Sequence, residues 1–189
     1  MTGLWGHGTE TRAAVNLTIT SNLDINFSDD TADFGEGYIV SGFDSCTIGT
    51  DGTNSSGCFN FSLPNGFILE NIGNRYAAIN LTNTNFTNSL LGGTASGYAW
   101  MWNDPENDAE DSTCDVAGKS DDIPVEDTWL NLTVANAPYT TAADNWCVKF
   151  NYTDSNDIIN ISIKFHIDQT ALARVVSDTW LVTALDAGQ

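Results

Sequence analysis

The residues in this chain best suited to covalent chemistry are asparagines followed two positions later by serine or threonine. This N-x-S/T pattern without proline marks acceptors of N-linked sugars on exposed positions of secreted chains. It occurs nine times, about twice the number expected by chance from the composition. The acceptors are Asn16, Asn26, Asn54, Asn60, Asn80, Asn85, Asn131, Asn151 and Asn160. The sequence therefore predicts an N-glycosylated, secreted protein.

The middle residue of these acceptor sites also follows a pattern. It is Leu, Phe, Tyr or Ile in eight of the nine. Because side chains alternate between the two faces of a strand, Asn and Ser or Thr would share a wet face while the apolar residue points into a core. The alternative is that Asn and Thr are simply small, neutral residues that suit a polar sheet face. The scarcity of Lys and Glu on these faces favours the sugar interpretation, and glycans would also cover exposed strand edges.

The four cysteines are expected to form disulfides. They contain no CxxC pair, and the chain has only two histidines, His7 and His166, so a zinc site is not predicted. An even number of cysteines in a secreted chain allows three connectivities, and we favour Cys46–Cys58 with Cys114–Cys147. Free thiols in a cytosolic protein are the alternative.

Two groups of carboxylates raise the question of a calcium site. Residues 104–127 contain ten acidic residues against one lysine, and Asp104, Asp108, Asp111 and Asp115 could supply oxygen ligands. The spacing does not match an EF-hand, and a solvated acidic loop is the favoured interpretation. A second group comprises Asp29, Asp30, Asp33 and Glu36. Calcium binding is thus left open, and no cofactor or metal site is predicted.

Tyr98, Trp100 and Trp102 would share one face of a strand. Such a stripe could stack on sugar rings, but more often it forms a core or a subunit interface. The chain has no GxSxG motif and no Ser or Cys with a recognisable His partner. We therefore predict that the protein has no catalytic residues and is not an enzyme.

Composition and charge limit the partners. The chain has 189 residues, 41% of them hydrophobic, which is enough for one domain with a single core. Its net charge of −19 would repel nucleic acid and anionic lipid. No apolar run reaches the length of a membrane helix, and residues 1–15 lack the pattern of a signal peptide, so a secreted chain would already have lost its signal.

Period-two alternation dominates the chain and predicts the elements that would carry these residues. Residues 169–179 could form a helical turn or two, or a loop or strand. The fold class predicted is all-β, an antiparallel β-sandwich or jelly roll. It would have about nine short strands, within residues 15–27, 38–43, 66–71, 77–86, 98–102, 128–134, 146–152, 158–167 and 178–185.

Two stretches resemble a known family. "LPNGFILENIGNRYAAINLT" (residues 63–82) and "ADFGEGYIVSG" (residues 32–42) are similar to secreted β-sandwich fibre proteins of the TasA and camelysin kind, and to archaeal surface filament proteins. The resemblance covers about a third of the chain. It implies a jelly-roll-like sandwich and extracellular fibres in which an N-terminal strand of one subunit completes the sheet of the next. The acceptor sites and cysteines depart from the bacterial pattern, which makes the archaeal proteins the closer comparison.

The N-terminus fits that implication. Residues 1–14 are poorly patterned and would form a flexible lead, and residues 15–189 would form a single domain. A strand within residues 10–28 could then be donated to a neighbouring subunit, although it could equally be the first strand of its own sheet. The sequence thus predicts a structural subunit of an extracellular or cell-surface filament or pilus that self-assembles into a homopolymer. The alternatives are a carbohydrate-binding module, an S-layer domain or an adhesin domain.

Overall fold

A computed structural model describes residues 20–105, 114–115, 126–132, 147–154 and 156–188. All strand pairings among these residues are antiparallel, and the one helix, α1 (Thr87–Leu90), has four residues. The predicted all-β fold class is confirmed. The strands are β1 (Ile25–Asp29), β2 (Tyr38–Ile39), β3 (Ser45–Gly49), β4 (Cys58–Phe59), β5 (Phe67–Asn71), β6 (Ala77–Asn83), β7 (Gly97–Asn103), β8 (Cys114–Asp115), β9 (Leu130–Asn131), β10 (Cys147–Phe150), β11 (Ile158–Asp168) and β12 (Trp180–Asp186).

The first sheet is built around β11. Its strand order is β1-β5-β11-β7-β9, and β3 also pairs with β11. The first half of β11 pairs with β5 and the second half with β3, while β7 runs along its other side. Five isoleucines give this eleven-residue strand a high β-propensity. Ile159, Ile161 and Ile163 alternate with polar residues and are buried, so one face of the sheet is apolar.

The second sheet has the order β12-β6-β10-β8 and packs against that apolar face. Ile79 and Leu81 of β6 and Phe150 of β10 are completely buried in the same cluster as Trp100 of β7. Ring contacts continue across the interface, because Trp180 of β12 lies 5.7 Å from Trp100 between ring centroids. The architecture is a β-sandwich whose core lies between the two sheets.

Two disulfides cross-link the elements. Cys46–Cys58 joins β3 of the first sheet to β4, which pairs with β2 in a small two-stranded sheet. Cys114–Cys147 joins the neighbouring strands β8 and β10 of the second sheet. These are the two pairs favoured from the sequence. By restricting the unfolded chain, each closed loop stabilises the fold by about 3 kcal/mol.

The structure differs from the predicted strands in two respects, the presence of β3 and the number of strands. β3 lies outside the nine predicted ranges, and its pairing with β11 outweighs its weak local propensity. Residues 169–179 form a loop, which is one of the alternatives predicted for them. Within the described part of the chain, twelve strands replace the nine expected, and four of the twelve have only two residues.

At the N-terminus, the strand predicted within residues 15–27 begins only at Ile25 among the residues described. The flexible lead at residues 1–14 and the first part of the candidate donor strand, residues 10–19, lie outside the described residues. The described helix, α1, is too short to cross a membrane.

Candidate functional site

The aromatic stripe on β7 belongs to the core. Tyr98, Trp100 and Trp102 are 1%, 0% and 3% exposed, respectively. They point between the two sheets, where no sugar ring can reach them. The stripe therefore lies where aromatic strand residues usually do, and the carbohydrate-binding alternative loses the surface that was proposed for it.

Four of the predicted glycan acceptors lie on strands in the orientation that the sequence predicts. The residue after each acceptor points into the core or towards it: Phe27, Leu81, Leu132 and Ile161. The first of these is half-buried and the other three are completely buried. Alternation along a strand then turns each asparagine to the outer face. These acceptors are Asn26 on β1, Asn80 on β6, Asn131 on β9 and Asn160 on β11.

Four other acceptors lie outside the strands, where alternation does not apply. Asn54 is exposed in the loop between β3 and β4, and Asn60 follows β4 with a positive φ of 65°. Asn85 precedes α1, and Asn151 follows β10. Asn16, the ninth acceptor, lies outside the described residues. The pattern of middle residues predicts strand placement for about half of the sites only.

The predicted acceptors also differ in the accessibility of the side-chain amide nitrogen, the atom to which an N-linked sugar would be attached. Asn26, Asn54 and Asn131 are exposed. In Asn85, which is half-buried, Nδ2 donates a hydrogen bond of 2.9 Å to the carbonyl oxygen of Ser177. In Asn60, Nδ2 donates to the carbonyl oxygen of Glu36 at 2.9 Å. The first three acceptors are therefore the most accessible of those described.

In the part of the chain that the structure describes, the sandwich is open on one side, between β1 and β12. Among the described residues, each of these strands has a neighbour on one side only, β5 for β1 and β6 for β12. An open cleft of about 430 Å³ lies between them. Its aromatic wall contains Phe27, Phe67 and Trp180. The ring centroid of Phe67 lies 6.0 Å from that of Phe27 and 6.2 Å from that of Trp180. The remaining lining residues are Asp30, Thr31, Ala32, Asp178 and Thr179.

Asp178 organises the chain beside this cleft. Its Oδ1 accepts hydrogen bonds from the amide nitrogens of Thr84, Asn85 and Thr179 at 2.9–3.0 Å and from the Thr84 hydroxyl at 2.8 Å. Its Oδ2 accepts one from Nδ2 of Asn83 at 2.8 Å. One carboxylate therefore holds the end of β6 against the segment that leads into β12.

Tyr98 extends this network into the other sheet. Its hydroxyl donates to Oδ2 of Asp178 at 2.8 Å and accepts a hydrogen bond from Nε1 of Trp180, also at 2.8 Å. Burial and, after it, the negative charge of Asp178 raise the pKa of Tyr98 well above its ordinary value. The hydroxyl remains protonated and can donate to the carboxylate. The network connects β7 to β12, and two of its members, Asp178 and Trp180, line the cleft. Its donors and acceptors are used in structural hydrogen bonds.

A second carboxylate, Asp168 at the end of β11, fixes the loop before β7. It accepts hydrogen bonds from the hydroxyl and amide of Thr170 and from the amide of Ala95. The hydrogen bond from the Thr170 hydroxyl and then that from the Ala95 amide lower the pKa of Asp168 to about 2. The folded state therefore favours the ionised form of Asp168.

This pKa predicts how stability depends on acid. In the unfolded chain Asp168 titrates near 3.8, so the unfolded state takes up the proton first as the pH falls. The stabilisation by this carboxylate is present above about pH 4 and is lost as the pH falls through about 2. We expect the difference in unfolding free energy between the parent protein and Asp168→Ala to shrink over that interval. Urea titrations at pH 6, 4 and 2 would measure it, and a constant difference would contradict the assignment.

The other charged and polar candidates show local structural contacts. Asp33 accepts a hydrogen bond from the amide of Gly35 at 2.8 Å, and Asp30 accepts one from the Thr31 hydroxyl at 2.9 Å. Nδ1 of His166 lies 2.8 Å from the Thr47 hydroxyl. Within the described residues, no three His, Cys, Asp or Glu side chains are grouped as metal ligands. Most of the acidic stretch at residues 104–127, including Asp108 and Asp111, lies outside the described residues, as does His7.

Comparison of the chain with protein-family models, curated proteins and solved structures finds no significant match. The resemblance of residues 32–42 and 63–82 to extracellular fibre proteins therefore stays a prediction. The described geometry consists of a sandwich with one open side, buried aromatic residues and outward-facing acceptor asparagines.

Proposed function

We propose that the protein is a structural subunit of a glycosylated extracellular filament or pilus, in which an N-terminal strand of one subunit pairs with the sheet of the next. The observation that carries this proposal is the position of β1. It lies at the edge of the first sheet beside the open cleft, with β5 as its only described strand neighbour. A free edge accepts an added strand through backbone hydrogen bonds.

The segment before β1 has the pattern that such an added strand requires. Val15, Leu17 and Ile19 alternate with Asn16, Thr18 and Thr20, and residues 13–23 contain no charge. If this segment adds to β1 of a neighbour, its apolar face would cover the aromatic wall of the cleft while Asn16 faces solvent. An uncharged strand would also approach β1 without repulsion from the carboxylates of Asp24, Asp29 and Asp30.

The pairing of β1 with β5 limits which residues could be donated to a neighbouring subunit. Ile25, Asn26 and Phe27 pair with Asn71, Glu70 and Leu69 of the same chain. The last part of the candidate donor strand at residues 10–28 is thus the first strand of its own sheet. The donated part would be the residues before it.

The exposed asparagines and the two disulfides are consistent with an extracellular location. Two disulfides are compatible with an oxidising compartment. Exposed Asn26, Asn54 and Asn131 would carry glycans that cover the outer surface of the polymer. No catalytic step is part of this function.

Electron microscopy of the purified full chain tests the proposal. We expect ordered filaments from the full chain and single particles after deletion of residues 1–19. The double variant Leu17→Asp/Ile19→Asp should lose filaments as well, because its carboxylates would face the aromatic wall. The matched control, Asn16→Gln, changes the opposite face and should still form filaments.

Two results would contradict this function. One is a full chain that stays as single particles under all assembly conditions, and the other is filament formation by the deletion variant. Glycopeptide mapping of the native protein tests the glycosylation part of the proposal. It should find sugar on the exposed acceptors. Unmodified peptides at all nine sites would remove glycosylation from the proposal.

A further inference from the structure

Among the described residues, β12 is the edge strand of the second sheet beside the cleft, and its outer face is apolar and exposed. β12 pairs with β6 along all seven of its residues without a bulge, and β6 is its only strand neighbour in the described chain. Its inner residue Trp180 contacts the core. Its outer residues Leu181 and Leu185 are 61% and 48% exposed, and Thr183 between them is also exposed.

This edge lacks the features that usually prevent strands from pairing between molecules. Natural edges carry charged residues, proline or bulges. Residues 180–185 contain none of these, and the terminal Asp186 is in an ion pair with Arg75 at 3.3 Å.

The charge of the chain makes an uncharged edge significant. At a net charge of −19 two copies repel each other over most of their surfaces. Residues 180–185 form a six-residue stretch without a carboxylate. Residues 180–185 therefore add no carboxylate repulsion of their own when a second copy approaches this edge.

The backbone of β12 also has donors and acceptors that face the open side. The carbonyl oxygen of Thr179 accepts a hydrogen bond from the backbone amide of Thr84, and the backbone amide of Ala187 donates one to the carbonyl oxygen of Tyr76. In an antiparallel ladder the residues that bond to a given neighbour alternate. The odd-numbered residues of β12 therefore bond to β6, while the amides and carbonyls of Trp180, Val182, Ala184 and Asp186 point to the open side.

Side-chain matching selects one register among those that this alternation permits. With a twofold axis at Thr183, Leu181 of one copy would face Leu185 of the other, and this contact would occur twice. Registers centred on Val182 or Ala184 would instead place a leucine against Thr183. The axis at Thr183 also aligns Val182 with Ala184 as a hydrogen-bonded pair, and this pairing would form about eight backbone hydrogen bonds.

We propose that β12 is a self-association surface, at which a second copy of the chain pairs antiparallel with it about a twofold axis at Thr183. The second sheet of one copy and the second sheet of the other would then form one continuous sheet. The contact is isologous, because each copy supplies the same strand and the same two leucines. It goes beyond the proposed filament function and needs no donated N-terminal segment.

The predicted acceptor Asn80 determines which expression host the test requires. Asn80 pairs with Thr183 in the ladder and lies on the same outer face. A glycan on Asn80 would therefore cover the leucines. The full chain should be produced in a bacterial host that forms disulfides and adds no N-glycans.

Cysteine cross-linking tests the register directly. The chain has four cysteines and all are in the two disulfides, so an introduced cysteine is the only free thiol. In Thr183→Cys the two Cα atoms of a non-hydrogen-bonded pair would be about 4.5 Å apart, within the span of a disulfide. Under mild oxidation we expect at least about tenfold more covalent dimer than for Leu181→Cys or Leu185→Cys alone. Non-reducing denaturing gels measure the dimer whether or not filaments form.

A mixture of variants provides the second measurement. Leu181→Cys and Leu185→Cys should form a covalent heterodimer when mixed, because residue 181 faces residue 185 of the other copy. Thr183→Cys that stays monomeric would overturn the proposal, and this is also the result expected if an N-terminal segment or another protein occupies the edge. Equal dimer from Leu181→Cys alone would overturn it too, since it would indicate random collision.

Discussion

Replacement of Trp100 by alanine is expected to lower the free energy of unfolding by about 3–5 kcal/mol. Trp100 is completely buried at the centre of β7, between the two sheets. Its ring contacts Trp180 across the sandwich, with 5.7 Å between ring centroids. Removing it deletes this packing and leaves a cavity that the paired strands around it cannot close.

Chemical denaturation followed by circular dichroism measures this loss. Ile72→Ala is the matched control, because Ile72 is apolar but 49% exposed, and its loss should cost less than about 1 kcal/mol. A Trp100→Ala protein as stable as the parent would mean that this residue is not in the core. The same substitution therefore tests the buried position of the aromatic stripe.

Replacement of Asp178 by alanine is expected to cost about 3 kcal/mol, or roughly 6–12 °C in melting temperature for a chain of this size. The carboxylate accepts hydrogen bonds from the end of β6, from Thr179 and from the hydroxyl of Tyr98. Without it, the buried Tyr98 hydroxyl loses the acceptor of its proton. Unsatisfied buried donors are more costly than the average hydrogen bond is stabilising.

The Asp178 prediction has two useful comparisons. Asp154→Ala removes a carboxylate from an exposed turn and should leave the melting temperature within about 1–2 °C of the parent. Tyr98→Phe removes the shared hydroxyl, and its effect should not add to that of Asp178→Ala, since the two groups bond to each other. Full additivity in the double variant, or a melting temperature unchanged in Asp178→Ala, would contradict the network.

The two substitutions show where sequence patterns are sufficient and where they are not. Alternation along "GYAWMWN" predicts that Tyr98, Trp100 and Trp102 share a face, and this is how the structure has them. The same alternation does not tell whether that face meets a second sheet or solvent. Asp178 has no distinguishing pattern around it, because its partners at residues 83–85 and at Tyr98 lie about 80–95 positions away in the chain.

The acceptor asparagines divide in the same way. Asn26, Asn80, Asn131 and Asn160 lie on strands as their apolar middle residues predict. Asn60, Asn85 and Asn151 have the same local pattern but lie in turns or loops. Local alternation predicts a strand only where a neighbouring strand is present to pair with it, and that depends on distant residues.

The sequence by itself determined the all-β class, the glycan-acceptor motifs, the even number of cysteines and the strong negative charge. These follow from residue types and from a period of two, which are local properties of the chain. Only the tertiary structure decided which strands lie at the edges, that the β7 aromatics face inward, and that one carboxylate joins the two sheets. Sheet order and register depend on pairings between residues far apart in sequence, and no local pattern contains that information.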